Sequence, residues 1–366
     1  MESAIGLITT NYSTKSQSAL TEARPVASLP YLGRYRLIDF PLSNMVNAGI
    51  RTVGVVMPYN YRSLIDHVGS GKDWALDRKN GGLFMLPGTA SGTSRTGARF
   101  LLRDIEHNKI FLERDKAPYV VCCASNIVYN MDFRELIAAH KESGADITVV
   151  TQEAKAADED ITSCFVQDGR VKGVTHGCKF GDTAFLDCFI VSRELLLKYL
   201  EWYAAVDYLD LFEAMQSDFE RVDVRTFNFD GFAAGIFNAA SYFRHSMELL
   251  NPQIDDQLFP AGRPILTKAH DTPPAKYETG GHASNSLVSA GCRIQGAISD
   301  SILGRNVRVD SGATVRNSIV MQGCVIESGA RVENAIVDRN NVIPARTELR
   351  GTPEAVLVQG KGEGQV

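Results

Sequence analysis

The chain has 366 residues, a formal net charge of −5, and 22% charged and 44% hydrophobic residues. This length exceeds one ordinary core and predicts two domains. The mildly acidic balance gives no reason to expect nucleic acid or an anionic membrane as partner, and Met1-Glu2-Ser3 before only five mostly apolar residues predicts neither a secretory signal nor a membrane span.

Along the chain, the apolar run Ala4–Thr9 predicts a first strand and Thr52–Met57 the next. Between them Asp39 is placed to cap a helix with Pro41 in its first turn and Gly49 at its end. Tyr119–Ala124 is continuously apolar, as a strand buried on both faces requires. Asp132 is placed to cap a helix whose Phe133, Leu136, Ile137 and His140 share one face, and residues 146–152 return as a strand. His140 reads as a partly buried surface histidine rather than a ligand. Strand, helix and strand in this order imply an α/β domain with a mostly parallel sheet, extending over residues 1–248.

From 249 to 285 the texture changes. Pro252, Pro260, Pro264, Pro273 and Pro274 fall here with Gly280-Gly281, so the segment reads as a linker, pinned along the surface by Leu258, Phe259, Ile265 and Leu266. Cysteines Cys122, Cys123 and Cys188 lie in apolar runs, and Cys292 and Cys324 in the region that follows. With no C-x-x-C, they read as small buried hydrophobes of a reducing cytosol.

Residues 286–359 repeat every 17 residues, and 360–366 read as a frayed tail. Asp300-Ser301-Ile302-Leu303 returns as Asn317-Ser318-Ile319-Val320 and as Asn334-Ala335-Ile336-Val337. The buried-type positions Cys292, Ile298, Leu303, Val309, Val315, Val320, Ile326, Val332, Val337, Ile343 and Leu349 advance by six or five. This is the pattern of a parallel β-helix of hexapeptide turns. One coil cannot bury its apolar edge, so coils stack at about 4.8 Å, the strand spacing. A β-helix alone also suits a hexapeptide acyltransferase, but those enzymes use a histidine base on the coils, and no histidine follows His282.

The block Arg24-Pro25-Val26-Ala27, then Leu32-Gly33-Arg34-Tyr35-Arg36-Leu37-Ile38-Asp39-Phe40-Pro41-Leu42-Ser43-Asn44, with Asn47 and Gly49-Ile50, resembles bacterial ADP-glucose pyrophosphorylase (glucose-1-phosphate adenylyltransferase). The likeness follows the whole chain in domain order and is dense at 24–57, 119–133 and 241–250. It implies a Rossmann-like nucleotidyltransferase domain followed by a left-handed hexapeptide β-helix. It also implies nucleotidyl transfer, in which glucose-1-phosphate attacks the α-phosphorus of ATP with carboxylate-held Mg²⁺.

The residues that the resemblance assigns to this chemistry are replaced. The glycine-rich phosphate cradle should follow the first strand, but the loop reads Thr10-Asn11-Tyr12-Ser13-Thr14-Lys15-Ser16-Gln17, with no glycine between Gly6 and Gly33. The Gly-Asp of the first metal carboxylate corresponds to Ser125-Asn126, and an amide lacks the negative charge that Mg²⁺ prefers. The second carboxylate, placed by counting back from Tyr242, corresponds to Gly235, and the nearest acid is Asp230. The Glu-Lys of the glucose-phosphate pocket is absent from Val174-Thr175-His176-Gly177-Cys178-Lys179-Phe180. The purine loop survives only as Gly97-Ala98-Arg99-Phe100, and Arg24 stands for the family's lysine.

A fold kept while its centre is dismantled resembles the non-catalytic GlgD-type regulatory subunit. The resemblance then implies no catalytic residue, no bound metal or nucleotide cofactor, and a catalytic homologue as partner in a cytoplasmic hetero-oligomer, expected to be a heterotetramer. Two alternatives are a weakly active enzyme and a module that senses a sugar phosphate or nucleotide. For the last, Lys15, Arg24, Arg34, Arg36 and Lys179 are the candidate anion contacts.

Overall fold

The structure, a computed structural model, describes residues 4–10, 19–58, 60–88, 99–204 and 210–362. Lys15 with the rest of 11–17, Gly97-Ala98 and the last four residues lie outside the described residues. The strands of the first domain are β1 (Ala4–Thr9), β2 (Pro30–Tyr31), β3 (Tyr35–Arg36), β4 (Thr52–Met57), β5 (Gly82–Pro87), β6 (Tyr119–Ala124), β7 (Ile127–Tyr129), β8 (Ile147–Glu153), β9 (Asp158–Gln167), β10 (Arg170–Cys178), β11 (Thr183–Ser192), β12 (Val224–Asn228) and β13 (Ala233–Gly235). Nine of them form one sheet, in the order β5-β4-β1-β6-β11-β8-β12-β10-β9. The β5-β4-β1-β6 part is parallel, and β11 runs antiparallel to both β6 and β8.

β1 and β4 are buried throughout, and β6 almost so, because helices cover both faces of the sheet. Ile5 and Leu7 of β1 join one core with Ile105, Leu196 and Tyr199, while Ala4 and Ile8 join the other with Met45, Leu64 and Leu136. The helices are α1 (Asp39–Asn47), α2 (Arg62–Val68), α3 (Leu102–His107), α4 (Lys109–Arg114), α5 (Phe133–Ser143), α6 (Arg193–Trp202), α7 (Leu211–Gln216), α8 (Ala239–Glu248) and α9 (Pro252–Leu258). Asp132 caps α5 by accepting the Arg134 amide, and Gly144, in the left-handed region, ends it.

Two local expectations fail. Asp39 is not a cap but the first residue of α1; its carboxylate accepts the Arg36 amide at 2.9 Å and meets His67 Nε2 at 2.6 Å. His140 is 2% exposed rather than partly buried, with Nδ1 2.8 Å from the Thr148 hydroxyl. The seven cysteines are buried and free. Among the described residues no helix is long and apolar enough to cross a membrane.

The segment expected as linker is more structured than its prolines suggest. α9 begins with Pro252, where the missing amide proton costs nothing, and Asn251 caps it. Beyond it, Asn130 Nδ2 donates to the carbonyls of Leu258 and Arg263, both at 2.8 Å, and the Ser43 hydroxyl accepts the Leu266 amide at 2.8 Å. The coils begin at Lys276, ten residues before the expected boundary.

The second domain is three parallel five-stranded sheets. One inward column runs through Leu303, Val320 and Val337, a second through Val309, Ile326 and Ile343, and a third through Ile298, Val315, Val332 and Leu349. Cys292 departs from the expected spacing. Ile294, not Cys292, stacks under Val309, because the corner at Gln295-Gly296 is two residues shorter than the equivalent corner 310–313. Gly296 makes that corner fit: a Cβ there would meet the Asp310 carbonyl at 2.9 Å. Cys292 instead fills a corner, with its thiol 3.1 Å from the Gly304 carbonyl.

One face of the β-helix is apolar outside as well as inside. Ile302, Ile319 and Ile336 point outward and are buried against Leu20, Val26, Tyr31, Leu37 and Tyr242. The β2–β3 hairpin reaches onto this region. Leu32 and Gly33 take positive φ at its tip, and a Cβ on Gly33 would meet the Leu303 carbonyl at 2.8 Å. The densest block of family likeness therefore contributes a docking hairpin for the β-helix.

Candidate functional site

The turn between β6 and β7 carries Ser125 and Asn126, both buried. The Ser125 amide donates to the Thr9 carbonyl at the end of β1 (3.1 Å), beside the point where the polar loop leaves. β13 pairs antiparallel with β7, matching Gly235 to Ile127, and the Ile236 amide donates to the Asn126 carbonyl at 2.8 Å. The fold thus brings positions 126 and 235 together, although 109 residues separate them in sequence.

At this meeting point a side chain at position 235 would have to displace a neighbouring ring. A Cβ on Gly235 would lie 2.8 Å from Cζ of Phe237, whose ring, 2% exposed, occupies the space. The Arg99 guanidinium sits over that ring, 5.3 Å from its centroid. Arg99 Nη1 meets Asp187 Oδ1 at 2.5 Å, and Asn126 Nδ2 is 3.4 Å from Asp187 Oδ2. Asp187 is fully buried, and burial outweighs the Arg99 charge, raising its carboxyl above the ordinary value. The Asn126 side-chain oxygen, Oδ1, has no hydrogen-bond partner among the described residues, and no group of three or more His, Cys, Asp or Glu there is placed to hold a metal.

Sequence reasoning placed Arg99 only in the remnant of a purine loop and gave no role to Asp187 or Phe237. One signal was available for Asp187: a lone carboxylate inside the apolar run 184–191. The chain slips register between Phe185 and Phe189, and Asp187 takes a positive φ of 48° there, which Asp tolerates better than most residues.

Beside Arg99 lies a cavity of about 160 Å³, reached by Thr162, Thr175, His176, Asp210 and Glu213, with Phe185 and Phe212 stacked at 4.5 Å in its wall. Val174, Thr175 and His176 line it, but Lys179 does not. Lys179 is exposed in the turn after β10, and its amide is held by Asp182 at 2.8 Å.

Arg24 lies elsewhere. It is 2% exposed, donates from Nε to the Leu20 carbonyl (2.9 Å), and meets Asp338 of the β-helix at 2.5 Å. Committed to Asp338 across the domain boundary, Arg24 offers little to an anion.

Arg34 and Arg36 line a second cavity, of about 100 Å³, between the β2–β3 hairpin and the coils. Arg305, Arg339, His67 and His270 line it too. Burial and the neighbouring Arg339 pull Arg36 down to about 10. Arg305 and Arg339 are lowered by burial first and then by Arg34 and Arg24 respectively. His270 is lowered by burial and by Arg305. Cations crowd each other here, and Arg339 Nε has no partner among the described residues.

Comparison with known proteins agrees with this architecture. The Nucleotidyl transferase family profile matches residues 18–160, and the profile described as GlmU-like, C-terminal hexapeptide matches 273–355. The chain is 34% identical over 358 residues to the glycogen biosynthesis protein GlgD of Bacillus subtilis (strain 168), covering 98% of this chain and 96% of that protein. It is 33% identical over 314 residues to GlgD of Geobacillus stearothermophilus, covering 85% and 82%. With the glucose-1-phosphate adenylyltransferase of Fervidobacterium nodosum it shares 27% identity over 334 residues, covering 88% and 79%. The chain belongs to the GlgD family of glycogen biosynthesis proteins, which is related to the glucose-1-phosphate adenylyltransferases.

Proposed function

We propose that this chain is a non-catalytic regulatory subunit of glucose-1-phosphate adenylyltransferase, acting in cytoplasmic glycogen biosynthesis by joining a catalytic homologue in a hetero-oligomer and raising its activity. The observation that carries this reading is the meeting of Asn126 and Gly235, with Phe237 in the space of the missing side chain. Mg²⁺ seeks several oxygen ligands, carboxylates foremost, at about 2.1 Å. Here Asn126 and Gly235 supply no carboxylate and the neighbouring Asp187 carboxylate is held by Arg99, so the residues present do not fit the ion, and no step is routed through it. Without such charge stabilisation the main electrostatic lever on a phosphoryl transition state is missing.

Activation then requires that this chain bind the active conformation of its partner more tightly than the inactive one. The test is to assay both purified chains alone and mixed, with glucose-1-phosphate, ATP and Mg²⁺. Expected are no ADP-glucose from this chain alone, co-elution of the two, and a changed kcat or KM of the catalytic chain. ADP-glucose formation by this chain alone, lost in Asn126→Ala, would instead make it an enzyme.

A second reading has its own observation, the basic cavity between the domains. Arg34, Arg36, Arg305 and Arg339 surround it, and Arg339 Nε is unpartnered among the described residues. A sugar phosphate or nucleotide would relieve that crowding. Calorimetry with phosphosugars and nucleotides, repeated on Arg36→Ala and Arg305→Ala, tests it; unchanged heats in both variants exclude this cavity as the site.

A further inference from the structure

The centre that does not suit a divalent cation holds a cation of the chain's own. Arg99 touches four segments that are remote in sequence. Its amide donates to Asp210 Oδ2 at 2.7 Å, ahead of α7. Its Nη2 donates to the Asp160 carbonyl of β9, and its Nη1 meets Asp187 of β11 at 2.5 Å. Its guanidinium face covers Phe237, ahead of α8. Through Asp187 it reaches Asn126, and through Phe237 it reaches Gly235. Both positions at which the related enzymes are expected to hold metal are thus tied to one guanidinium.

We propose that Arg99 is a built-in cation that organises this cleft in place of a bound metal, fixing β9, β11 and the start of α8 in one arrangement with no ligand present. This rests on the reading of the cleft as non-catalytic, but it needs no partner chain. A guanidinium suits the task because its planar fork carries five donors and one delocalised charge, so it serves several acceptors and an aromatic face together. The pair is nearly dry: the Arg99 side chain is 12% exposed and that of Asp187 not at all. Such a pair fixes geometry more than it adds stability, since desolvation offsets much of the attraction. The carboxylate that Arg99 meets sits where β11 slips register and takes a positive φ.

Amide hydrogen exchange on the full chain tests this. In the wild type, the segments around 158–162, 185–188 and 235–238 are expected to be protected without ligand and unchanged by Mg²⁺ or by Mg²⁺ with ATP. In Arg99→Gln their exchange is expected to rise by about tenfold or more, while the coils from 297 to 343 keep wild-type protection and so report that the chain is folded. Asp187→Asn should loosen the same segments to a smaller degree. Wild-type segments that become protected only when Mg²⁺ is added overturn the proposal, as does Arg99→Gln exchange equal to wild type. Failure to activate a catalytic chain, with these exchange results intact, would count against the regulatory role and leave the clamp standing.

Discussion

The β-helix and the cleft are built on opposite plans. In the β-helix each inward residue repeats the environment of the one a coil away, so Leu303, Val320 and Val337 are one solution used three times. In the cleft, Asn126, Asp187, Arg99 and the Gly235–Phe237 pair come from four separate segments, and none repeats another. Repetition makes the β-helix tolerant of local variation, such as the corner shortened at Gln295-Gly296. A one-off assembly has no such redundancy, and each member is fixed by its neighbours.

The contrast can be broken first where the two regions meet. Asp338→Ala leaves the buried Arg24 charge uncompensated and should cost about 3–5 kcal/mol by denaturant unfolding. The double variant Arg24→Met with Asp338→Leu should recover most of that loss. A cost under about 1 kcal/mol for Asp338→Ala would mean that the ion pair does not join the domains in solution. Within the β-helix, Leu303→Ala removes a fully buried side chain from an inward column and should cost about 2–5 kcal/mol. The outward Val342→Ala should stay within about 0.5 kcal/mol; equal effects would deny the column its role.

In the cleft, Gly235→Asp should destabilise by about 1–3 kcal/mol through overpacking against Phe237. Phe237→Ala in the same chain should relieve that strain, and neither variant should gain Mg²⁺-dependent stability in a thermal melt. A Mg²⁺-dependent rise in Tm for the Gly235→Asp variant would show that the site is less altered than the packing indicates.

The smallest expected effect is one of pH. Because burial raises the folded Asp187 carboxyl above its ordinary value of 3.8, the folded chain holds this proton more tightly than the unfolded chain. That contribution to stability is fully present below 3.8 and is lost as pH rises through the folded value. Asp187→Asn cannot ionise, so its stability deficit relative to wild type should shrink between acid and neutral pH. A deficit that grows over this range would reverse the sign.

Much of the fold was legible from residue spacing. The buried runs at Ala4–Thr9, Thr52–Met57 and Tyr119–Ala124 are strands, and the stripe Phe133, Leu136, Ile137 and His140 is the buried face of α5. The misplaced Cys292 shows the limit of that approach. A period assumes equal coils, and a corner two residues short moves one residue out of its column without disturbing the spacing that follows. The outward isoleucines 302, 319 and 336 were visible in the repeat, yet only the hairpin and α8 packed against them show that this face is covered.

From the sequence alone came the β-helix and the α/β half, because these depend on local burial patterns; the resemblance to a family then set Asn126 and Gly235 at positions where a carboxylate is expected. Only the tertiary structure decided that Arg24 belongs to Asp338, 314 residues away, and Arg99 to Asp187, 88 residues away. A hydrophobic period announces itself within a few residues. A buried charge pair has no local signature, since what selects the partner is the folded geometry that removes every alternative, including water.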